Sequence, residues 1–172
     1  LSQHFRAVAR DGGLPVMLYN VPSRTGTDLQ ADTVVRLQAD EPRIVAIKEA
    51  CGLTDRVAEL RARCRKDFNI LSGDDALTLP FMSVGADGVV SVASNVLPKH
   101  MVELVRFALE GNYAKAREAH LQLRGLFGAL FVESNPIPAK AALKHLGKMN
   151  DDVRLPLVPA SEKTRELMKQ VL

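Results

Sequence analysis

Two short segments of the sequence place groups suited to carbonyl chemistry at the ends of apolar runs. Tyr19 and Arg24 lie in Leu18–Gly26, which reads Leu-Tyr-Asn-Val-Pro-Ser-Arg-Thr-Gly, and Lys48 follows the apolar run Ile44–Ile47. Such runs are typical of buried parallel strands, whose carboxyl ends carry the chemistry in α/β folds. A lysine in an apolar site loses hydration of its charged form, and its neutral amine can then attack a carbonyl. Lys48 is therefore a candidate Schiff-base nucleophile.

The side chains near Lys48 fit the same chemistry. Neighbouring strands lie about 5 Å apart, so Tyr19 and Lys48 could share one substrate. Condensation of an amine with a 2-oxo acid needs a proton shuttle, which a phenol provides, and a cation such as Arg24 for the carboxylate. Each residue also has a structural interpretation, namely a surface lysine, an interior tyrosine and an arginine paired with a nearby carboxylate. Taken alone, these residues predict an amine-catalysed α/β enzyme.

The elements that must position these residues follow from the alternation along the chain. Each of the four predicted strands is followed by a helical pattern, which indicates a parallel sheet with right-handed crossovers. Asp28 is a candidate cap for the helix after the first strand, and Asp74 is a candidate cap after the third. Only helices are predicted after residue 97, which divides the chain into regions 1–97 and 98–172. The strands are predicted near 15–19, 44–48, 68–71 and 88–92.

Four segments resemble the dihydrodipicolinate synthase family in content and order. They are the two segments above, Leu-Ser-Gly-Asp-Asp at 71–75 and Asn-Pro-Ile-Pro at 135–138. The resemblance implies that Lys48 forms a Schiff base with pyruvate and that Tyr19 donates and accepts protons. It further implies that Arg24 binds the carboxylate of aspartate semialdehyde and that Val90 contacts pyruvate, mainly through its backbone.

The implied activity is that of a lyase in the diaminopimelate route of lysine biosynthesis. Pyruvate and aspartate 4-semialdehyde would condense on Lys48 to give 4-hydroxy-tetrahydrodipicolinate, without a metal or an organic cofactor. The resemblance also implies a homotetramer. One alternative is another pyruvate-dependent lyase, such as an N-acetylneuraminate lyase or a 2-keto-3-deoxy sugar acid aldolase, which usually lacks the arginine at position 24. The other is an inactive homologue that serves as a binding module.

The length of the chain indicates part of a barrel. A (β/α)8 barrel typically needs about 250 residues, whereas this chain has 172 and begins with Leu1. We therefore expect the C-terminal half of a TIM barrel, with four parallel strand-helix units, followed by a helical C-terminal extension. The N-terminal half would be absent, and such a piece with open sheet edges is expected to be inactive alone. A complete small α/β domain is the alternative.

Composition argues against several other classes of protein. The net charge of +3 and the absence of Trp give little basis for nucleic-acid binding. Cys51 and Cys64 have neither metal-ligand spacing nor the density of a disulfide scaffold, so reduced cytoplasmic thiols are expected. No apolar run reaches the length of about 18 residues that a membrane span needs. One basic cluster is predicted to be a solvated helix face and consists of Arg61, Arg63, Arg65 and Lys66.

Overall fold

Strands are present at the four predicted places and pair in chain order into one parallel sheet, although the fourth covers only two residues rather than the predicted 88–92. The computed structural model describes residues 1–172, and its sheet has the order β1-β2-β3-β4 with every neighbouring pair parallel. Because each strand pairs with the next one in the sequence, β1 and β4 are the two edges of the sheet. The strands are β1 (Val16–Asn20), β2 (Ile44–Glu49), β3 (Asn69–Ser72) and β4 (Gly88–Val89).

Helices connect the strands as the alternation predicts. The helices before the end of the sheet are α1 (Ser2–Gly12), α2 (Pro22–Thr25), α3 (Ala31–Asp40), α4 (Thr54–Arg63) and α5 (Thr78–Ser83). α2 and α3 lie between β1 and β2, α4 between β2 and β3, and α5 between β3 and β4. Because α3 packs against β2 and α4 against β3, these helices bury one side of the sheet.

Burial alternates along β1, and this alternation places Tyr19 on the exposed face of the sheet. Leu18 and Asn20 are buried, whereas Met17 and Tyr19 are exposed. Successive side chains of a strand point to opposite faces, so Tyr19 lies on the face that the helices leave uncovered. The covered face carries the core, which includes Leu18, Ile47, Ile70, Val34, Leu37, Val57 and Leu60.

The chain divides into two compact units, Leu1–Val90 and Ser91–Leu172. The division falls earlier than the predicted boundary after residue 97. The physical reason is that Ala93–Asn95 forms a short 3-10 helix that packs against α6, so these residues join the helical unit. The second unit contains α6 (Pro98–Leu109), α7 (Tyr113–Ala129), α8 (Ile137–His145) and α9 (Glu162–Val171). None of the helices has the length and apolar character needed to cross a membrane.

Two predictions about capping had different outcomes. Asp74 caps a short 3-10 helix, because its carboxylate accepts a hydrogen bond of 2.9 Å from the Ala76 N–H. The prediction that Asp28 caps α3 was wrong, since that helix begins at Ala31 and receives no side-chain cap. The Asp28 carboxylate instead accepts hydrogen bonds from the side chains of Asn20, Gln30 and Arg56.

The basic cluster at the end of α4 and just after it is not simply a solvated face. Arg61 donates hydrogen bonds to the carbonyls of Gly85 (2.8 Å) and Phe68 (3.1 Å) and pairs with Asp87. Arg65 donates to the Ile44 carbonyl at 2.8 Å. These contacts fasten α4 and the residues that follow it to the neighbouring strands, so the prediction was wrong for these two arginines.

Candidate active site

Tyr19 and Lys48 come together at the carboxyl ends of β1 and β2. They are paired residues in the register of the parallel sheet, and paired residues share a face. The Lys48 Nζ lies 4.2 Å from the centroid of the Tyr19 ring. Tyr19 is 40% exposed and Lys48 is half-buried, so both side chains can be reached from the uncovered face. An amine and a phenol are therefore adjacent in the structure.

The next residue on each strand points to the covered face and joins a buried polar network. The Asn20 Nδ2 donates to both carboxylate oxygens of Glu49, at 3.0 and 3.2 Å, and Glu49 also accepts the Cys51 N–H at 2.8 Å. The Asn20 Oδ1 accepts the Leu29 N–H at 2.9 Å. Because Asn20 follows Tyr19 and Glu49 follows Lys48, these bonds tie the two strand ends to each other.

Asp28 and Arg56 continue this network towards solvent. The Asn20 Nδ2 donates to Asp28 at 2.8 Å, and the Arg56 Nη2 lies 3.0 Å from the same carboxylate. The Asn20 hydrogen bond, with help from Arg56, lowers the pKa of Asp28. Burial raises the pKa of Glu49, against the lowering effect of its hydrogen bonds from Cys51 and Asn20. The network therefore holds one carboxylate that favours its ionised form and one that resists ionisation.

Arg24 lies on the short helix α2, five residues after Tyr19 in the sequence. Its side chain is exposed and forms no ion pair or hydrogen bond within the chain. The structural interpretation, in which Arg24 pairs with a nearby carboxylate, is thus not what the structure shows. The guanidinium is free to bind an external anion.

Val90 directly follows β4 and extends its pairing with β3. The Val90 N–H donates to the Ser72 carbonyl at 2.8 Å, and the side chain is 37% exposed. Lys48 pairs with Leu71 and Leu71 pairs with Gly88, so alternation puts Val90 on the same face as Lys48. Two strand spacings, or roughly 10 Å, separate β4 from β2.

Neither cysteine competes with Lys48 as a nucleophile. Both thiols are free and partly buried. Burial raises the pKa of Cys51 to about 11 and also raises the pKa of Cys64. Since the thiolate is the reactive form of cysteine, both thiols are poor nucleophiles at neutral pH.

Comparison with known proteins identifies the family of this chain. The model of the dihydrodipicolinate synthetase family matches residues 1–172. The chain belongs to the dihydrodipicolinate synthetase family. It is 52% identical over 172 residues to the 4-hydroxy-tetrahydrodipicolinate synthase of Sorangium cellulosum and 47% identical over 171 residues to that of Sulfurihydrogenibium. These matches cover 100% and 99% of this chain but only 57% and 58% of the relatives.

Solved structures of the dihydrodipicolinate synthetase family share the fold of this chain. The Aquifex aeolicus dihydrodipicolinate synthase superposes with a TM-score of 0.96 at 44% identity, covering 99% of this chain and 58% of the other. The Acinetobacter baumannii enzyme, solved as a complex with pyruvate, gives a TM-score of 0.94 at 41% identity with the same coverage. The chain therefore spans less than three fifths of the length of these relatives.

The sequence predicted no role for the two buried residues beside the site, Asn20 and Glu49. Asn20 and Glu49 were visible as polar residues at strand ends, but nothing local marks them as partners of each other. The available signal was their equal offset, one residue after Tyr19 and one after Lys48. In two parallel strands of matching register, that offset places both residues on the opposite face from the tyrosine and the lysine.

Proposed function

We propose that the protein condenses pyruvate with aspartate 4-semialdehyde through a Schiff base on Lys48, as a 4-hydroxy-tetrahydrodipicolinate synthase of lysine biosynthesis. The observation that carries the proposal is the placement of the Lys48 Nζ 4.2 Å from the Tyr19 ring at two adjacent strand ends. The synthase names of the relatives and the pyruvate complex of one solved relative support the choice of substrates.

The reaction begins with attack of the neutral Lys48 amine on the keto carbon of pyruvate. The carbinolamine loses its hydroxyl group as water after that group gains a proton, for which Tyr19 is the donor in this proposal. The imine then loses a methyl proton to become an enamine. The protonated imine nitrogen accepts the electron pair released in this step, so the chemistry needs neither a metal nor an organic cofactor.

The carbon-carbon bond forms when the enamine attacks the aldehyde carbon of the semialdehyde. The aldehyde oxygen gains a proton and the imine on Lys48 is restored. The amino group of the former semialdehyde then displaces the Lys48 nitrogen by transimination, which closes the six-membered ring and frees the enzyme. Tyr19 is suited to pass protons in both directions because a phenol can donate and accept.

Arg24 and Val90 have binding roles in this proposal. The unpaired guanidinium of Arg24 would hold the carboxylate of the semialdehyde through two parallel hydrogen bonds. Val90 would contact pyruvate through its backbone, at the end of β4 on the same face as Lys48. Related lyases that act on sugar acids usually lack this arginine. The presence of an unpaired Arg24 therefore favours aspartate semialdehyde as the second substrate.

The position of the four strand-helix units within a barrel is a further part of the proposal. We place them in the second half of a (β/α)8 barrel, because Ser91–Leu172 contains helices and no strand, as expected beyond the last barrel strand. The fraction of the relatives that the chain does not cover leaves room for four more units. The gene sequence tests this placement. Strand-helix units encoded before Leu1 would support it, and such units encoded after Leu172 would contradict it.

A cytoplasmic location and assembly into a homotetramer complete the proposal. The two free cysteines support a reducing compartment. One solved relative is a monomeric dihydrodipicolinate synthase variant, so the assembly needs a direct measurement. Light scattering of the purified protein should give four times the mass of one chain, and the mass of a single chain would contradict the tetramer.

A coupled assay of substrate consumption tests the activity. The protein, purified at the length that its gene encodes, should consume pyruvate and aspartate 4-semialdehyde together. Lys48→Arg should abolish the reaction because a guanidinium cannot form the imine, and Tyr19→Phe should slow it by roughly 10²- to 10⁴-fold. Cleavage of N-acetylneuraminate or a 2-keto-3-deoxy sugar acid instead would support the alternative lyases. Absence of every activity would support an inactive homologue.

A further inference from the structure

Gly73 lies in the turn after β3, where a side chain would meet atoms around Lys48. The Gly73 N–H donates to the Glu49 carbonyl at 2.8 Å. A Cβ at this position would lie 2.7 Å from the Ala50 Cβ, 3.1 Å from the Lys48 Cε and 3.2 Å from the Glu49 carbonyl oxygen. Carbon atoms normally approach no closer than about 3.5 Å. The space beside Lys48 therefore has no room for a methyl group.

The backbone conformation does not explain this glycine. Gly13, Gly26 and Gly52 have φ angles of 66°, 66° and 86°, in the left-handed region, and a Cβ there would meet nothing within 4 Å. Gly73 shows the reverse pattern, with a φ outside that region and crowded surroundings. The requirement for glycine at position 73 is therefore one of space.

Lys48 is flanked on both sides at the strand ends. Tyr19 of β1 faces its Nζ from one side, and Gly73 past β3 approaches its Cε from the other. A methyl group at position 73 would push the Cε away by about 0.4 Å, which is the difference between the 3.1 Å contact and the normal limit of about 3.5 Å. The Nζ is bonded to this carbon and would move with it.

We propose that Gly73 is a positioning residue for Lys48, whose missing side chain leaves the lysine free to lie beside Tyr19. This inference rests on the proposed role of Lys48 as the Schiff-base nucleophile. A displacement of about 1 Å in a reacting group can reduce a rate by roughly 100-fold. The smaller displacement expected for Gly73→Ala should therefore slow formation of the pyruvate imine by roughly 5- to 10-fold.

Two variants separate this effect from a general loss of folding. Gly73→Ala also clashes with Ala50, so the double variant Ala50→Gly/Gly73→Ala removes that clash and keeps the contact with the Lys48 Cε. Gly12→Ala is the matched control, because a Cβ there meets nothing within 4 Å and its φ is not left-handed. Circular dichroism and the thermal midpoint of each variant report whether it folds.

Two readouts are measured on the protein at its encoded length. The first is the rate at which borohydride traps pyruvate on Lys48, followed by mass spectrometry. The second is the rate of Lys48 acetylation by acetic anhydride without pyruvate, relative to the other lysines of the same chain. The second readout reports the surroundings of Lys48 and does not depend on catalysis.

We expect the double variant to fold, to trap pyruvate roughly 5- to 10-fold more slowly than the wild type, and to show at least a twofold change in Lys48 acetylation. The Gly12→Ala and Ala50→Gly variants should match the wild type in both readouts. A folded double variant with wild-type rates in both would overturn the inference. If the wild type traps no pyruvate while acetylation still responds to residue 73, the proposed function fails and the packing of Lys48 against Gly73 is supported.

Discussion

Lys48 and Glu49 are neighbours in the sequence, yet they lie in opposite environments. Strand geometry turns Lys48 towards the uncovered face and Glu49 towards the core, where its side chain is fully buried. Burial of the carboxylate is possible because Asn20 and Cys51 donate hydrogen bonds to it. The network thus fixes the strand end beside the lysine, at the cost of burying an acid.

This burial gives Glu49 and Asp28 opposite effects on stability as the pH changes. The pKa of Glu49 is raised above its ordinary 4.5, so the folded state holds that proton more tightly and loses stability as the pH rises from 4.5 through the raised value. The pKa of Asp28 is lowered below 3.8, so its contribution is present above 3.8 and is lost as the pH falls through the lowered value.

Urea unfolding of Glu49→Gln and Asp28→Asn across this pH range measures both effects. The stability of the wild type relative to Glu49→Gln should fall as the pH rises above about 4.5. Relative to Asp28→Asn it should fall as the pH drops below about 3.8. If the free energy of unfolding of a variant changed with pH as steeply as that of the wild type, the shift assigned to that carboxylate would be contradicted.

The free guanidinium of Arg24 leads to a prediction about substrate binding. Arg24→Ala should lower kcat/KM for the semialdehyde by roughly 10- to 100-fold, because a hydrogen bond to a charged group contributes about 1.5–3 kcal/mol. Trapping of pyruvate on Lys48 by borohydride should stay within about twofold of the wild type, since Arg24 does not bind pyruvate in this account. An equal loss in both measurements would contradict the assignment.

At the scale of elements, α4 is held in place by arginines that bond to backbone carbonyls. Arg61 donates to the carbonyl of Phe68, just before β3, and to that of Gly85, after α5, and it also pairs with Asp87. Gly85 has a φ of 109°, and a Cβ there would lie 2.7 Å from the Arg61 Cγ. The arginine side chain therefore fills the space that this glycine leaves.

Removal of Arg61 should loosen this contact. Arg61→Ala should lower the free energy of unfolding by about 2 kcal/mol, because two carbonyls lose their charged donor. Arg117→Ala is the control, since Arg117 is exposed on α7 and forms no side-chain hydrogen bond or ion pair; its effect should stay within about 0.5 kcal/mol. Equal midpoints in urea unfolding of the two variants would show that the Arg61 contacts do not stabilise the fold.

The sequence predicted the elements better than it predicted their contacts. The four strands could be predicted because an apolar run is a local feature of the sequence. The placement of Tyr19 beside Lys48 followed because each residue ends such a run. The role of Asp28 was missed because its partners Asn20 and Arg56 lie 8 and 28 residues away. Gly73 was missed as a packing residue because its neighbours belong to another strand end.

At the scale of the molecule, the sheet of the first unit has two open edges and an uncovered face. β1 and β4 have no strand on their outer sides, and Met17, Tyr19 and Val90 are 44%, 40% and 37% exposed. Open edges and exposed apolar side chains promote association with other chains. In the proposed barrel, the part of the relatives' length that this chain does not span would cover these surfaces.

A polypeptide of residues 1–172 alone tests this expectation. It should be inactive with pyruvate and the semialdehyde, and it should elute from size-exclusion chromatography as associated or aggregated material. The protein at its encoded length, measured in the same buffer, is the control and should be active and not aggregated. A soluble, monomeric and fully active 172-residue chain would contradict the partial-barrel account.

The most direct test of the central claim is mass spectrometry of the protein after incubation with pyruvate and borohydride. The protein at its encoded length, measured intact and then as peptides, should gain the mass of one reduced pyruvate adduct per chain, located on Lys48. Lys48→Arg should gain none. An unmodified Lys48 in the folded wild type, or an adduct on a different lysine, would contradict the assignment of Lys48 as the Schiff-base nucleophile.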